Sequence, residues 1–183
     1  ESSEVISSIN QISHDISKSI KMLQECLEAN RKIILFRNGG SAADAQHIAA
    51  EFIGRFKINR KSLPAIALTS NPSIITAISN DFSFDSVFSR QCESLISKGD
   101  VVIGISTSGN SLNVKKGINA SKKNGAITIG LLGNKGGSIK KCVDIPLIVN
   151  ATETSHIQEV HRTIYHIVCE IVEKELVESS RKK

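Results

Sequence analysis

His47 and Glu51 lie four residues apart in the stretch RNGGSAADAQHIAAEF (37–52), behind a glycine turn and inside an alanine-rich run. On a helix that spacing puts both side chains on one face, about one turn apart, so an imidazole and a carboxylate can address one ligand. Two kinds of chemistry suit the pair: proton transfer, and the holding of a divalent ion such as zinc. A surface hydrogen bond also satisfies the spacing. Ala42, Ala43, Ala45, Ala49 and Ala50, however, make this a helix for close packing, where a carboxylate needs a partner or a task. A second reactive group lies in TSHIQEVHRTIYHIVCEIV (154–172). Ile157, Val160, Ile164, Ile167, Val168 and Ile171 form an apolar stripe there, flanked by Gln158, His161 and His166. His156, His161 and His166 within eleven residues exceed what packing requires, although exposure accounts for some of them. Imidazole, carboxylate and amide oxygen are all acceptable ligands for a divalent ion.

Two glycine-containing turns carry the remaining chemistry. ISTSGNSLNV (105–114) leaves an apolar run and enters a helical one, presenting Ser106, Thr107, Ser108 and Ser111 around Gly109. Hydroxyl donors at a helix N-terminus favour a phosphate, and glycine permits close backbone approach. Capping by Ser108 or Ser111 accounts for one or two of these residues but does not need all four. The nucleotide templates G-x-x-x-x-G-K-[ST] and G-x-G-x-x-G after a strand are not met. The other turn, RNGGSAAD, has Gly39 and Gly40 at its bend and Ser41 placed to cap the helix. Asn38 and Ser41 can form a second polar rim for sugar hydroxyls; a tight turn with an N-cap explains the glycines and the serine equally well.

The elements that must hold these residues follow from periodicity. Val5, Ile9, Ile12, Ile16, Ile20, Leu23 and Leu27 mark one narrow helical stripe, to be buried on its own domain or against another subunit. Short apolar runs follow at 32–36, 65–68, 101–106, 126–132 and 144–149 and read as buried parallel strands. Helical stretches near 41–56, 72–79, 85–97 and 111–123 separate them, and an amphipathic helix over about 154–178 comes last. This alternation predicts a three-layer α/β fold around a five-stranded parallel sheet, with ligands gathering beyond the carboxyl ends of the strands.

Composition narrows the class. With 183 residues and 40% apolar content, the chain reads as one domain able to bury a core. Cys26, Cys92, Cys142 and Cys169 are widely spaced without a CxxC pair and no signal-like segment begins the sequence, so a reduced, cytoplasmic protein is expected. No run approaches the length of about 20 apolar residues needed to span a bilayer. The net charge of +5 is dispersed apart from Arg181-Lys182-Lys183, and with 4% aromatic residues and no Trp there is no stacking platform for nucleic acid.

NGGSAADAQHIAAEFIGRF, NDFSFDSVFSRQ, GDVVIGISTSGNS and IQEVHRTIYHIVCEIVE together resemble the phosphoheptose isomerases of the sugar isomerase (SIS) domain superfamily, over about residues 5–178. The resemblance implies a single SIS domain with a flavodoxin-like core over 31–183 and an oligomerisation helix over 1–30. It implies a cytoplasmic homotetramer with active sites near subunit interfaces, one Zn2+ per subunit, and neither nucleic acid nor membrane as partner. The implied reaction converts D-sedoheptulose 7-phosphate to D-glycero-D-manno-heptose 7-phosphate, the first step toward ADP-heptose for lipopolysaccharide core or other glycans. Carried over by position, His47, Glu51, Gln158 and His166 hold the metal, and Glu51 and His166 are also the acid–base residues. Ser106, Thr107, Ser108 and Ser111 form the phosphate loop, while Asn38, Gly39, Gly40, Ser41, Asn80, Asp81 and Gln158 contact substrate. Ser155 stands where some members have Asp, so that sugar contact is not expected. Since a zinc-bound carboxylate is a weaker base, either Glu51 loosens from the metal during turnover or the metal serves to position substrate. A noncatalytic regulator of the same fold, which binds the replication initiator DnaA, lacks the groups corresponding to Glu51 and His166. Gln158 and His166 are eight residues apart, about 12 Å along a helix and about 80° around it, which predicts a site shared between chains, with Glu51 and His166 supplied by different subunits.

Overall fold

The computed structural model describes residues 7–181. Five strands, β1 (Ile33–Phe36), β2 (Ala65–Ala67), β3 (Val101–Ser106), β4 (Ile127–Leu132) and β5 (Ile145–Ile148), form one parallel sheet in the order β2-β1-β3-β4-β5. Continuous apolar runs suit parallel strands because helices cover both faces. All four residues of β1 and all six of β3 are buried. Alternation then divides them: Ile33 and Leu35 face one core, and Ile34 and Phe36 face the other. The first core is closed by α1 (Ser13–Glu28), α2 (Ala42–Ile53) and α6 (Thr154–Arg181), the second by α3 (Pro72–Asp81), α4 (Val87–Leu95) and α5 (Leu112–Lys123). The three-layer α/β reading is therefore the observed one.

Three local expectations change. The first helical stripe is not one α-helix: Ser8–Ile12 forms a 3-10 turn before α1 starts at Ser13. Ser13 donates its hydroxyl to the Asn10 carbonyl, the type of local bond by which Ser competes with a helical ladder. Val5 lies outside the described residues. Of the two ways to bury the stripe, the structure shows its own domain: Ile16, Ile20, Leu23 and Leu27 join the first core, with α1 against α6. Ser41 is not a side-chain cap, because a 3-10 turn over Gly39–Ser41 precedes α2 and its hydroxyl bonds elsewhere. Neither Ser108 nor Ser111 caps α5 by a side chain.

The strand order reverses direction between β1 and β3, and at such a switch point the loops that follow the two strands diverge and leave a crevice. Those loops are the two glycine turns singled out above.

Candidate active site

The first turn bends at Gly39, whose φ of +63° favours glycine, and delivers the chain into α2. The second bends at Gly109, with φ +67°; a Cβ there would lie 2.3 Å from the backbone carbon of Gly136, so only glycine fits. Around it the Ser106 hydroxyl lies 3.0 Å from that of Ser111 and 3.4 Å from that of Ser108, and Ser108 accepts from the Asn110 amide at 3.1 Å. Three hydroxyls thus converge at the start of a twelve-residue helix that has no side-chain N-cap bond. This is a suitable cradle for a phosphate. Thr107 lies beside them, half-buried. Asn38 and Asn113 exchange amide hydrogen bonds of 2.7 Å and join the two loops across the switch point. Asn38 is thereby engaged with protein, and Asn113, absent from the sequence reading, is buried as its partner.

α2 and α6 run side by side, with their polar residues paired in register. Gln158 donates to the Ser41 hydroxyl. Next, Asp44 takes Arg37 Nη1 at 2.8 Å and Arg162 Nη2 at 3.3 Å, with Arg162 Nε reaching the Tyr165 hydroxyl at 3.2 Å. One turn further, His47 Nε2 lies 2.8 Å from Glu51 Oε1, and the His47 and His166 rings are 5.5 Å apart between centroids. Steps of three to four residues on both helices make this a ladder of polar rungs in a parallel pair. The spacing 44, 47, 51 and the spacing 158, 162, 166 were available in the sequence as a sign that Asp44 and Arg162 belong to it.

His47, Glu51 and His166 each offer a ligand atom, all within 4.8 Å of one another. Two imidazoles and a carboxylate fit a divalent ion of zinc's type, so the chain's residues suit the expected metal. His166 titrates below the ordinary imidazole range because it is partly buried, with His47 adding to the effect and Glu51 opposing it. It is therefore neutral near pH 7, as a ligand or a proton acceptor must be. Tyr165 and Phe56 wall the group, with ring centroids 4.6 and 5.6 Å from His166.

The structure corrects the expectation that Glu51 and His166 come from different chains: one chain holds both. The spacing argument applies to Gln158 instead, which bonds Ser41 at the far end of α2 from Glu51. Asn80 and Asp81 stand at the exposed end of α3, where Asn80 donates to Asp81 at 2.8 Å; no described bond links them to either loop.

The SIS domain profile matches residues 1–133. A phosphoheptose isomerase of Geobacter sulfurreducens is 54% identical over 161 residues, covering 88% of this chain and 85% of that protein. This chain belongs to the phosphoheptose isomerase family. Its fold agrees with two solved members, from Neisseria gonorrhoeae (38% identity, TM-score 0.87, 94% of each chain) and Francisella tularensis (32%, 0.89, covering 92% and 90%). The family consists of aldose–ketose isomerases, and the chain is an enzyme of that class acting on a sugar phosphate. Among the described residues no helix is long and apolar enough to cross a membrane. All four cysteines are free. Burial pushes Cys26 and Cys92 up to about 11 and Cys169 up to about 12, which keeps these thiols unreactive.

Proposed function

We propose that the protein isomerises D-sedoheptulose 7-phosphate to D-glycero-D-manno-heptose 7-phosphate at this site, in the cytoplasm, as the entry to ADP-heptose synthesis. The observation that carries the reading is the approach of His47, Glu51 and His166 to within 4.8 Å, on helices that begin near the hydroxyl-lined loop: Asn38, ahead of α2, bonds Asn113, and Gly133 sits against both the Thr107 carbonyl and Ile157 of α6. In this reading Ser106, Thr107, Ser108 and Ser111 with the α5 N-terminus bind the phosphate and fix the sugar's far end. Glu51 removes a proton from carbon 1 of the ketose while the electrons form the carbon 1–carbon 2 double bond. His166, neutral at the outset, receives the proton from the oxygen on carbon 1 and delivers it to the oxygen on carbon 2, and the protonated Glu51 returns the carbon proton at carbon 2 as the carbon 1 carbonyl forms. His47, bonded to Glu51, holds the carboxylate in position. His47, Glu51 and His166 would hold a zinc ion, and Gln158, which bonds Ser41 within its own chain, would join them as a ligand from a neighbouring subunit. When bound, that ion supplies positive charge that polarises the carbonyl and offsets negative charge on the enediol oxygens.

Gly39, Gly40, Asn38, Ser41, Asn80 and Asp81 are proposed to contact the sugar. We also propose one domain and a homotetramer with its sites near subunit contacts; exposed Phe82, Phe84, Ile53 and Leu112 support association. The test is to incubate the purified protein with sedoheptulose 7-phosphate and follow the aldose product by NMR, with and without chelator. Product formation by wild-type and its absence with Glu51→Gln is the expected result; an unchanged substrate spectrum with wild-type protein refutes the proposal.

A further inference from the structure

Below the histidine rung, the α2–α6 ladder ends in a buried carboxylate that the reaction does not use. Glu173 is 1% exposed and stands two turns beyond His166 on α6. It accepts three consecutive backbone N–H groups, from Phe56 at 2.9 Å, Lys57 at 2.7 Å and Ile58 at 2.8 Å. Its Oε1 is also 3.0 Å from Arg60 Nε, an ion pair with both side chains buried. Burial opposes ionisation of Glu173, but the three N–H bonds and Arg60 outweigh it and hold the carboxyl below its usual range.

The other end of the Arg60 guanidinium acts on α2. Arg60 Nη2 donates to the Glu51 carbonyl and Nη1 to the Phe52 carbonyl, each at 2.8 Å, which satisfies carbonyls that a helix end leaves unpaired. The segment held by Glu173 carries Phe56, whose ring lies against His166. One carboxylate–guanidinium pair therefore touches the backbone of Glu51, the helix of His166, and the aromatic wall beside His166. A packing role needs none of this charge, since a buried ion pair adds little stability over apolar residues of similar volume.

We propose that Glu173 and Arg60 are positioning residues for the isomerisation, setting the approach of Glu51 to His166 and seating Phe56 on the His166 ring. The proposal rests on the functional reading of Glu51 and His166 given above. Glu173→Gln keeps the shape but replaces an acceptor oxygen with an amide donor, which must face either a backbone N–H or the guanidinium. Arg60→Lys keeps the charge but cannot reach both carbonyls and Glu173 together. Phe56→Leu removes the ring alone.

The experiment measures steady-state kinetics on sedoheptulose 7-phosphate and amide hydrogen exchange at residues 56–58 in the full-length protein. In Glu173→Gln, kcat is expected to fall at least about tenfold with KM held within about threefold, because the phosphate end is untouched. The 56–58 amides should exchange at least about tenfold faster. Phe56→Leu should lower kcat with those amides still protected, and combining it with Glu173→Gln should cost less than the product of the two losses. Wild-type kcat in folded Glu173→Gln protein overturns the proposal, as does a kcat loss with unchanged amide exchange. If Glu173→Gln fails to fold, Arg60→Lys carries the test: a kcat loss at steady KM supports positioning, and wild-type kcat overturns it. Wild-type protein that leaves sedoheptulose 7-phosphate unchanged refutes the functional reading instead, and this is seen before any variant is made.

Discussion

Glu51 meets His47 on its own helix and His166 on another, and its side chain keeps 19% exposure. Gln at this position preserves size and hydrogen bonding but cannot take a carbon proton, so Glu51→Gln should lose isomerisation by at least about a hundredfold while retaining the fold. Single-turnover product formation checks this. Ser108→Ala and Ser111→Ala should chiefly raise KM, about three- to tenfold each, since the phosphate is a handle away from the reacting carbons. Unchanged KM in both would remove the phosphate-loop assignment. His161 has a different role from the other histidines. It is fully buried, and burial lowers it to about 3 from an ordinary 6.5. The unfolded chain therefore binds a proton below pH 6.5 that the folded chain refuses, and stability falls by about 1.4 kcal/mol per pH unit between that value and about 3. His161→Leu should flatten this slope; equal slopes in urea titrations from pH 4 to 6.5 would refute the account. Residue types and spacing made His47, Glu51 and His166 legible in the sequence. Asn113, Arg60 and Glu173 were not, because their partners lie 75, 9 and about 115 residues away and no local period links them.

At the scale of elements, every strand and the five helices after α1 stand within a few residues of where apolar periodicity puts them. Boundaries decided by polar competition were less legible, as the 3-10 turn before α1 and the uncapped starts of α2 and α5 show. Several buried polar groups inside elements lack a partner among the described residues, and Ser19 is one of them. Ser19 on α1 is 1% exposed, and its hydroxyl has no partner among the described residues. Ser19→Ala should raise stability by about 1 kcal/mol, read from the urea midpoint. Gly109→Ala should do the opposite to function. The added Cβ meets Gly136 backbone at 2.3 Å, so the loop must move and KM should rise at least about tenfold while the sheet below remains intact.

For the whole molecule, the placement of Glu51 and His166 in one chain makes a definite claim about assembly. Inactive Glu51→Gln and inactive His166→Ala proteins, dissociated and reassembled together, should not recover activity, because no chain in the mixture has both groups. Recovery in mixed oligomers verified by mass spectrometry would show the two residues acting across an interface. The parallel α2–α6 ladder also acts as a ruler. Six residues separate Ser41 from His47, which is about 9 Å of helix, and that span can change only in units of a turn, about 5.4 Å, if the side chains are to stay on one face. A sugar phosphate grows by one carbon, a much finer step. The site is then graduated more coarsely than its substrates, and a ketose phosphate one carbon shorter cannot be matched by sliding along the rungs: with its phosphate seated, its carbonyl stops short of Glu51. Fructose 6-phosphate should accordingly show a kcat/KM at least about tenfold below that of sedoheptulose 7-phosphate, the substrate proposed above, and the shortfall should lie in kcat, since the proposed phosphate grip is the same for both.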